Sequence, residues 1–285
     1  MKPSEKITVP RLRELKEGGV KISMLTAYDY PTALLLDRAG IEVLLVGDSL
    51  ANTVLGYKDT MPVTMDEMIH HTKAVARAVE RALLVGDMPF MSFHVSKEQA
   101  IANAGRFMKE GGAEAVKIEG GEEMADVAEA LVKVGIPVMG HIGLTPQRAS
   151  ELGGLRVQGR DEQKAKKLLK DAKILEEAGI FSLILESIPW QLAKLITESV
   201  KIPTIGIGAG PFCDGQVLVI HDILGLSFRF KPKFSKQYAD LAKTIEEAAR
   251  DFMNDVKSGS FPTVEEHSFT MNEEVVKKLT SEQVL

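Results

Sequence analysis

The sequence predicts an α/β protein whose strands and helices form a (β/α)8 barrel. Eight short apolar runs alternate with segments of helical spacing along the chain. Most of these runs are continuously apolar, as expected for parallel strands that are covered on both faces. No change in composition marks a linker within the 285 residues, and a barrel of about 250 residues is commonly one domain. We therefore expect a single barrel domain over residues 1–285.

The strands can be placed in chain order from these apolar runs. They are expected at 21–28, 41–48, 82–87, 113–119, 136–143, 181–187, 202–210 and 217–222. Glycine ends four of the intervening helical segments, as a left-handed C-cap requires, at Gly40, Gly112, Gly135 and Gly179. Only about six residues, 211–216, separate the last two strands, fewer than the dozen that a crossover helix needs. The last crossover helix is therefore expected to be reduced or absent.

The barrel core should occupy about 20–228, and extra helical sequence lies outside it. A C-terminal helix is expected at about 235–257, with an apolar stripe formed by Leu241, Ile245, Ala248, Phe252 and Val256. That stripe should close the barrel or contact another subunit. The residues from about 261 to 285 are interpreted as a short polar tail.

Composition excludes several classes of protein. Hydrophobic residues make up 45% and charged residues 26% of the chain, and no apolar run approaches the roughly 18 residues that span a bilayer. The polar N-terminus lacks the apolar segment of a secretory signal, and the single cysteine, Cys213, cannot form an intrachain disulfide. A net charge of −5 offers no broad basic surface for nucleic acid. We expect a cytoplasmic protein with no membrane or nucleic-acid partner.

Four of the apolar runs end on an acidic residue, at Asp48, Asp87, Glu119 and Glu186. In a barrel of parallel strands, the loops after the strands form the reactive face, so these carboxylates should gather at one mouth. Any one of them could instead be a helix N-cap. Gathered together they repel, by roughly 4 kcal/mol for two unit charges about 4 Å apart at an effective dielectric near 20. The pattern therefore predicts a bound cation.

Magnesium is the cation that this set of residues fits. Asp48 and Asp87, on neighbouring strands, are the expected ligands, and Glu119 on the next strand could ligate directly or hold a bound water. Mg²⁺ suits a sparse carboxylate set because it keeps several waters and accepts substrate oxygens as ligands. Zinc is disfavoured, since the chain has one cysteine and its six histidines lack ligand spacing.

Three further residues are candidates for chemistry at this mouth. Lys117 lies two residues before Glu119 on the same strand, so both side chains point to one face; a lysine there forms an ion pair or binds an anionic ligand. Glu186, on a more distant strand, could stay free of the metal ion and act as a general base. For His141 two interpretations stay open, a contact with a carboxylate or substrate and a packed core histidine.

Seven motifs carry a resemblance to a known family. In chain order they are TAYDYPTALLLDRAGIEVLLVGDSLANTVLGY, VGDMPF, VKIEGG, GHIGLTPQ, LILESIP, IGIGAG and DGQVLVIHDILG. Over about residues 4–260, the chain resembles the ketopantoate hydroxymethyltransferase (3-methyl-2-oxobutanoate hydroxymethyltransferase) family. The resemblance implies a barrel of the phosphoenolpyruvate/pyruvate type, one magnesium ion per subunit and a homodecamer. It also implies transfer of a one-carbon unit from 5,10-methylenetetrahydrofolate to 3-methyl-2-oxobutanoate, giving 2-dehydropantoate on the route to pantothenate.

The resemblance also implies roles for individual residues. Asp48 and Asp87 correspond to the direct metal ligands that present the oxoacid, with Glu119 in the coordination shell or one water away. Ser49 and Lys117 correspond to the groups that hold the oxoacid. Glu186 corresponds to the proton acceptor.

Two other hypotheses are weighed against this one. The first is a related barrel lyase or phosphomutase that uses a magnesium enolate without folate, which would cleave a C4 or C5 oxoacid. The second is a catalytically silent barrel that binds an anion or serves in assembly. The presence of both Lys117 and Glu186 favours an enzyme over the silent barrel.

Overall fold

The computed structural model describes residues 5–148, 156–228 and 232–281, which form two compact units. The first unit extends to Ile223 and includes Ser227–Gln237; the second contains Leu224–Leu226 and the described residues from Tyr238 onward. Each unit is described by itself. The expectation of one domain over the whole chain stays a prediction.

A closed barrel of eight parallel strands forms the first unit, as the sequence predicts. The strands are β1 (Ile22–Thr26), β2 (Val43–Val46), β3 (Leu83–Asp87), β4 (Ala115–Glu119), β5 (Val138–Gly143), β6 (Ser182–Glu186), β7 (Thr204–Ile207) and β8 (Gly215–Leu218). Each strand pairs with the next, and β8 pairs with β1 to complete the ring. The predicted fold class is confirmed.

Helices lie between most of the strands. They are α1 (Val9–Glu17), α2 (Tyr30–Ala39), α3 (Leu50–Thr53), α4 (Met65–Ala76), α5 (Lys97–Arg106), α6 (Ala125–Lys133), α7 (Glu162–Glu177), α8 (Trp190–Ser199) and α9 (Ile220–Leu224). A π-helical turn, Phe107–Gly111, continues α5, and short 3-10 turns lie at Glu122–Met124 and Pro146–Arg148. The four predicted helix-ending glycines all have positive φ angles. None of the helices among the described residues is long and apolar enough to cross a membrane.

The last strand differs from its predicted position. The apolar run at 217–222 predicts a strand, whereas β8 is Gly215–Leu218 and α9 begins at Ile220. The ladder ends there because the Ile220 N–H donates to the side-chain Oγ1 of Thr26 at 3.0 Å instead of to a backbone carbonyl of β1. No helix lies in the 208–214 connection, as its short length predicts.

The second unit contains more helix than the sequence analysis assigns. Its helices are α10 (Leu241–Ser258), α11 (Val264–His267) and α12 (Glu273–Ser281). The predicted start near 235 is wrong, because the Asp240 side chain caps the helix by accepting from Lys243 N–H. Two helices, α11 and α12, lie in the stretch interpreted as a short polar tail, and neither has a buried residue. Ile245 and Phe252 of the predicted stripe are 56% and 59% exposed.

Side-chain alternation in the strands fills the barrel and also builds its mouth. Every strand contributes at least one inward-facing residue to the interior cluster. In chain order these include Met24, Val43, Val85, Ala115, Met139, Ile184, Ile205 and Val217. Successive inward positions lie two residues apart. Continuing these rows toward the carboxyl ends leads from apolar residues to the acidic and basic side chains of β3 to β6. The same periodicity that packs the core therefore orients the polar groups above it.

Candidate active site

Strand register brings the predicted residues to one level of the barrel. Asp87 on β3 is paired with Lys117 on β4, and Glu119 on β4 is paired with His141 on β5. Glu186 ends β6, two residues after the inward-facing Ile184. The structure therefore brings together at the carboxyl-terminal mouth the side chains that sequence reasoning singled out.

Lys117 is the central cation of this cluster. Its Nζ lies 2.6 Å from Asp87 Oδ1 and 3.5 Å from Glu119 Oε1, and the residue is only 3% exposed. Burial alone would lower the pKa of Lys117, but the carboxylates of Asp87, Glu119 and Asp48 raise it above its usual value. Lys117 is therefore a permanent positive charge at the barrel mouth.

Asp48 follows β2 and lies beside the cluster formed by Lys117, Asp87 and Glu119. Its backbone N–H donates to Asp87 Oδ2 at 3.0 Å, so the two carboxylates are held at neighbouring strand ends. Burial, followed by repulsion from Asp87 and Glu119, raises the pKa of Asp48 well above its usual value. A carboxylate in this position favours a further positive charge beside it.

Gln147 was missed by sequence reasoning and connects three strand ends. Its Nε2 donates to Asp48 Oδ2 and to the Met88 carbonyl, both at 3.0 Å, and its backbone N–H donates to Glu119 Oε2 at 3.1 Å. The side chain is 3% exposed. Nothing in the sequence signals this role, because a single amide residue in a loop has no spacing pattern.

His141 lies between two carboxylates, which decides between its two interpretations. Its Nδ1 is 3.3 Å from Glu119 Oε1 and its Nε2 is 3.2 Å from Glu186 Oε2, at angles outside those of good hydrogen bonds. Burial would lower the pKa of His141, but these two carboxylates raise it to about 9. Burial would raise the pKa of Glu119, but Lys117 and then His141 lower it to about 2. His141 is a buried imidazolium that contacts carboxylates.

The raised pKa of His141 predicts a pH-dependent stability in metal-free protein. A folded-state pKa of about 9, against an ordinary value of 6.5, contributes stability that is fully present below pH 6.5 and is lost as pH rises through 9. The expected loss is on the order of 3 kcal/mol. Urea unfolding in EDTA at pH 6.5 and 9.5 should show this loss in the wild type and a smaller one in His141→Gln. Equal pH dependence in both proteins would contradict the assignment.

Ser49 and Tyr28 form a polar edge beside Asp48. The two hydroxyl oxygens lie 2.7 Å apart, and Ser49 precedes α3 without capping it through its side chain. Tyr28 is 1% exposed, and burial raises the pKa of its phenol. Tyr28 therefore holds the Ser49 hydroxyl as a neutral partner, a contact that the sequence analysis did not anticipate.

Glu186 is held at the mouth by its backbone. The Leu144 N–H donates to the Glu186 carbonyl at 2.9 Å, and Gly143 has a φ of +99°, where a β-carbon would lie 2.3 Å from that carbonyl oxygen. Ser187 follows with a φ of +47°, so the chain turns sharply after Glu186. The side chain is 16% exposed, whereas Asp87 and Glu119 are nearly inaccessible. Glu186 is therefore the carboxylate of the cluster with most access to a bound substrate.

The charges of this cluster fit a divalent cation. In their ionised forms, which a cation favours, Asp48, Asp87 and Glu119 carry three negative charges against one positive charge on Lys117, and the formal charges of His141 and Glu186 cancel. Two negative charges are left over. Within the described ranges, no three His, Cys, Asp or Glu side chains group closely enough to hold a metal by themselves. Two carboxylates completed by water and substrate oxygens are, however, a common arrangement for Mg²⁺.

The barrel has the same fold as solved structures that include a member of the phosphoenolpyruvate mutase/isocitrate lyase superfamily. A phosphonopyruvate hydrolase solved with oxalate and Mg²⁺ matches with a TM-score of 0.59 and 13% identity, over 96% of this chain and 95% of that one. The 2,3-dimethylmalate lyase, described as a member of that superfamily, matches with a TM-score of 0.56 and 15% identity, over 96% and 94%. These likenesses show the fold of the chain, a (β/α)8 barrel.

Sequence comparison identifies the particular family. The family model described as ketopantoate hydroxymethyltransferase matches residues 6–264. The 3-methyl-2-oxobutanoate hydroxymethyltransferase of Thermoanaerobacter sp. (strain X514) is 58% identical over 94% of this chain and 97% of the relative. That of Carboxydothermus hydrogenoformans is 58% identical over 96% and 99%. The chain belongs to the ketopantoate hydroxymethyltransferase family and is a transferase. Membership of this family implies the ketopantoate hydroxymethyltransferase step of the pantothenate pathway.

Proposed function

We propose that this enzyme transfers a hydroxymethyl group from 5,10-methylenetetrahydrofolate to 3-methyl-2-oxobutanoate. The methylene carbon bonds to C3 of the oxoacid, one water supplies the hydroxyl group, and 2-dehydropantoate and tetrahydrofolate are the products. Family membership supports the reaction. The observation that carries it is the buried cluster of Asp48, Asp87, Lys117 and Glu119 beside the more accessible Glu186.

Asp48 and Asp87 are proposed as the residues that hold a magnesium ion. They are adjacent, and Asp48 lies where a further positive charge is favoured. Glu119 is proposed to act through a water, since one of its oxygens contacts Lys117 and His141 while the other accepts from the Gln147 N–H. When bound, the ion supplies Lewis-acid polarisation of the oxoacid keto group.

Lys117 and Ser49 are proposed to bind the oxoacid. The Lys117 ammonium is a fixed charge that stabilises negative charge developing on the keto oxygen as C3 loses its proton. The Ser49 hydroxyl, held by Tyr28 at 2.7 Å, donates to the substrate carboxylate. Both groups are positioned before substrate arrives, so little reorganisation opposes the reaction.

Glu186 is proposed to take the proton from C3. Its carboxylate lies 3.2 Å from His141 Nε2, and this contact keeps the base oriented. After proton transfer, C3 attacks the methylene carbon carried by the folate. The neutral carboxylic acid then formed at Glu186 contacts His141 until it releases its proton.

Turnover of 3-methyl-2-oxobutanoate with 5,10-methylenetetrahydrofolate tests the proposal. We expect 2-dehydropantoate with Mg²⁺ present, no product in EDTA, and recovery when excess Mg²⁺ is returned. Exchange of the C3 proton with D2O, measured by NMR without folate, should follow the same metal dependence. Cleavage of a C4 or C5 oxoacid without folate would favour the lyase hypothesis instead, and absence of both activities would favour a silent barrel.

Location and assembly are also proposed from the resemblance. A cytoplasmic enzyme agrees with the buried, unpaired Cys213. The resemblance implies a homodecamer, and the exposed apolar side chains of α10 and α12, which include Ile245, Phe252, Val256 and Leu279, are compatible with assembly. Covering such faces with another protein surface removes apolar area from water and lowers the free energy.

A further inference from the structure

Two adjoining clefts open beside the carboxylate cluster. The first has a volume of about 380 Å³. Its walls are largely apolar or aromatic, formed by Met61, Phe90, His94 and Met124, and it reaches Glu119 and Gln147. A molecule in this cleft would therefore lie directly against the site proposed for the oxoacid.

The aromatic wall of the first cleft is uncharged, and its two rings are tilted by 54° to each other. The rings of Phe90 and His94 lie 5.4 Å apart between centroids. His94 Nδ1 accepts from the Met91 N–H at 3.2 Å, which places the ring hydrogen on Nε2, and burial lowers the pKa of His94. Such a wall suits a planar heteroaromatic ring that stacks on one of the two rings and meets the other edge to face.

The second cleft has a volume of about 220 Å³ and shares Glu123 and Arg148 with the first. Beyond these two residues it is lined by Lys164 and Lys167, in the first turns of α7, and by Asp171, whose carboxylate lies 2.8 Å from Lys167 Nζ. Lys164 Nζ is 3.4 Å from Asp161 and two-thirds exposed, so its ammonium can turn toward a ligand. The second cleft therefore suits an anionic group.

Glu123 lies at the junction of the two clefts as a positioned acceptor. Its carboxylate pairs with Arg148 and lies 3.8 Å from Lys167 Nζ, and its side chain is 36% exposed. A carboxylate fixed in this way accepts two parallel N–H bonds from a guanidine-like edge. A pterin carries such an edge at its ring N–H and 2-amino group.

We propose that the two clefts together bind the reduced folate, with the pterin ring in the first cleft and the glutamate tail in the second. Phe90 and His94 contact the ring, Glu123 accepts from its guanidine-like edge, and Lys164 contacts the tail carboxylate. This inference rests on the proposed function. It assigns the folate site, which neither the sequence motifs nor the family resemblance identifies.

Equilibrium binding of two probes, measured anaerobically by calorimetry, tests the assignment. The probes are tetrahydrofolate and 6-methyltetrahydropterin, which lacks the tail. Phe90→Ala and Glu123→Gln should each weaken both probes about tenfold. Lys164→Met should weaken tetrahydrofolate about threefold and leave the tetrahydropterin unchanged. Lys166→Met, on the same helix and paired with Glu162 outside the clefts, is the matched control and should bind both probes like the wild type.

The outcomes separate this inference from the proposed function. If the wild type turns over but Glu123→Gln and Lys164→Met bind both probes normally, the assignment is wrong while the function stands. If the wild type neither binds tetrahydrofolate nor turns over, the proposed function itself fails. Glu123 and Lys164 have exposed side chains, so their variants decide the matter even if Phe90→Ala does not fold.

Discussion

Glu186→Gln is expected to slow exchange of the C3 proton of 3-methyl-2-oxobutanoate by about 10²–10⁴-fold, the usual contribution of a positioned general base. Glutamine keeps the shape of the side chain but cannot take the proton. The contact with His141 Nε2, at 3.2 Å in the wild type, shows how closely the base is held. NMR in D2O measures the exchange directly and does not require folate.

The same variant should still bind the oxoacid with nearly unchanged affinity. The groups proposed to bind it, Lys117 and Ser49, are on other strands and loops. Glu177→Gln, the same substitution on the exposed face of α7, is the control and should exchange like the wild type. Normal exchange in Glu186→Gln would refute the base assignment, and loss of oxoacid binding would instead place Glu186 among the substrate ligands.

Lys117→Met is expected to lower the free energy of unfolding by about 3–5 kcal/mol at pH 7, as when one partner of a buried ion pair is removed. The 2.6 Å contact with Asp87 and the 3.5 Å contact with Glu119 are both lost. Buried carboxylates are then left without their cation. Urea unfolding in EDTA measures the loss, and Lys133→Met, at an exposed pair with Glu129, should stay within about 1 kcal/mol of the wild type.

The pH dependence of Lys117→Met gives an independent check. Without the ammonium, the pKa of Asp87, which burial already raises, should rise further, and the pKa of Glu119 should rise above its unfolded value. The native state of the variant then binds more protons than its unfolded state. Stability then falls as pH rises, and the deficit relative to the wild type should be smaller at pH 5 than at pH 7. A deficit that does not change with pH would indicate lost packing rather than unpaired charge.

Much of the site follows from the sequence because barrel geometry is regular. An acidic residue after an apolar run comes to the carboxyl end of a strand, and neighbouring strands place such residues side by side. The two-residue spacing of Lys117 and Glu119 correctly puts both on the inward row, as their contact shows. Local periodicity is sufficient for these positions, since in every strand successive side chains point alternately into and out of the barrel.

Other features depend on contacts between distant loops and have no local signal. Gln147 joins Asp48 and Met88 across separations of 99 and 59 residues. His141 could be interpreted only after the register placed Glu119 and Glu186 on either side of it. The last strand was misplaced because it begins at Gly215, a residue that apolar patterning overlooks. A β-carbon there would lie 2.5 Å from the Ile22 carbonyl oxygen, so close packing rather than hydrophobicity selects it.

Pairing of β8 with β1 has a consequence for biosynthesis on the ribosome. The first and last strands of the ring are far apart in the chain; the bond that follows β8, from Ile220 to Thr26, spans 194 residues. Until β8 emerges from the exit tunnel, β1 and β7 present unpaired edges, which are sites of aggregation. Loop closure of this length is also slow. The nascent polypeptide therefore passes through an open-edged stage in which chaperone binding would be most useful.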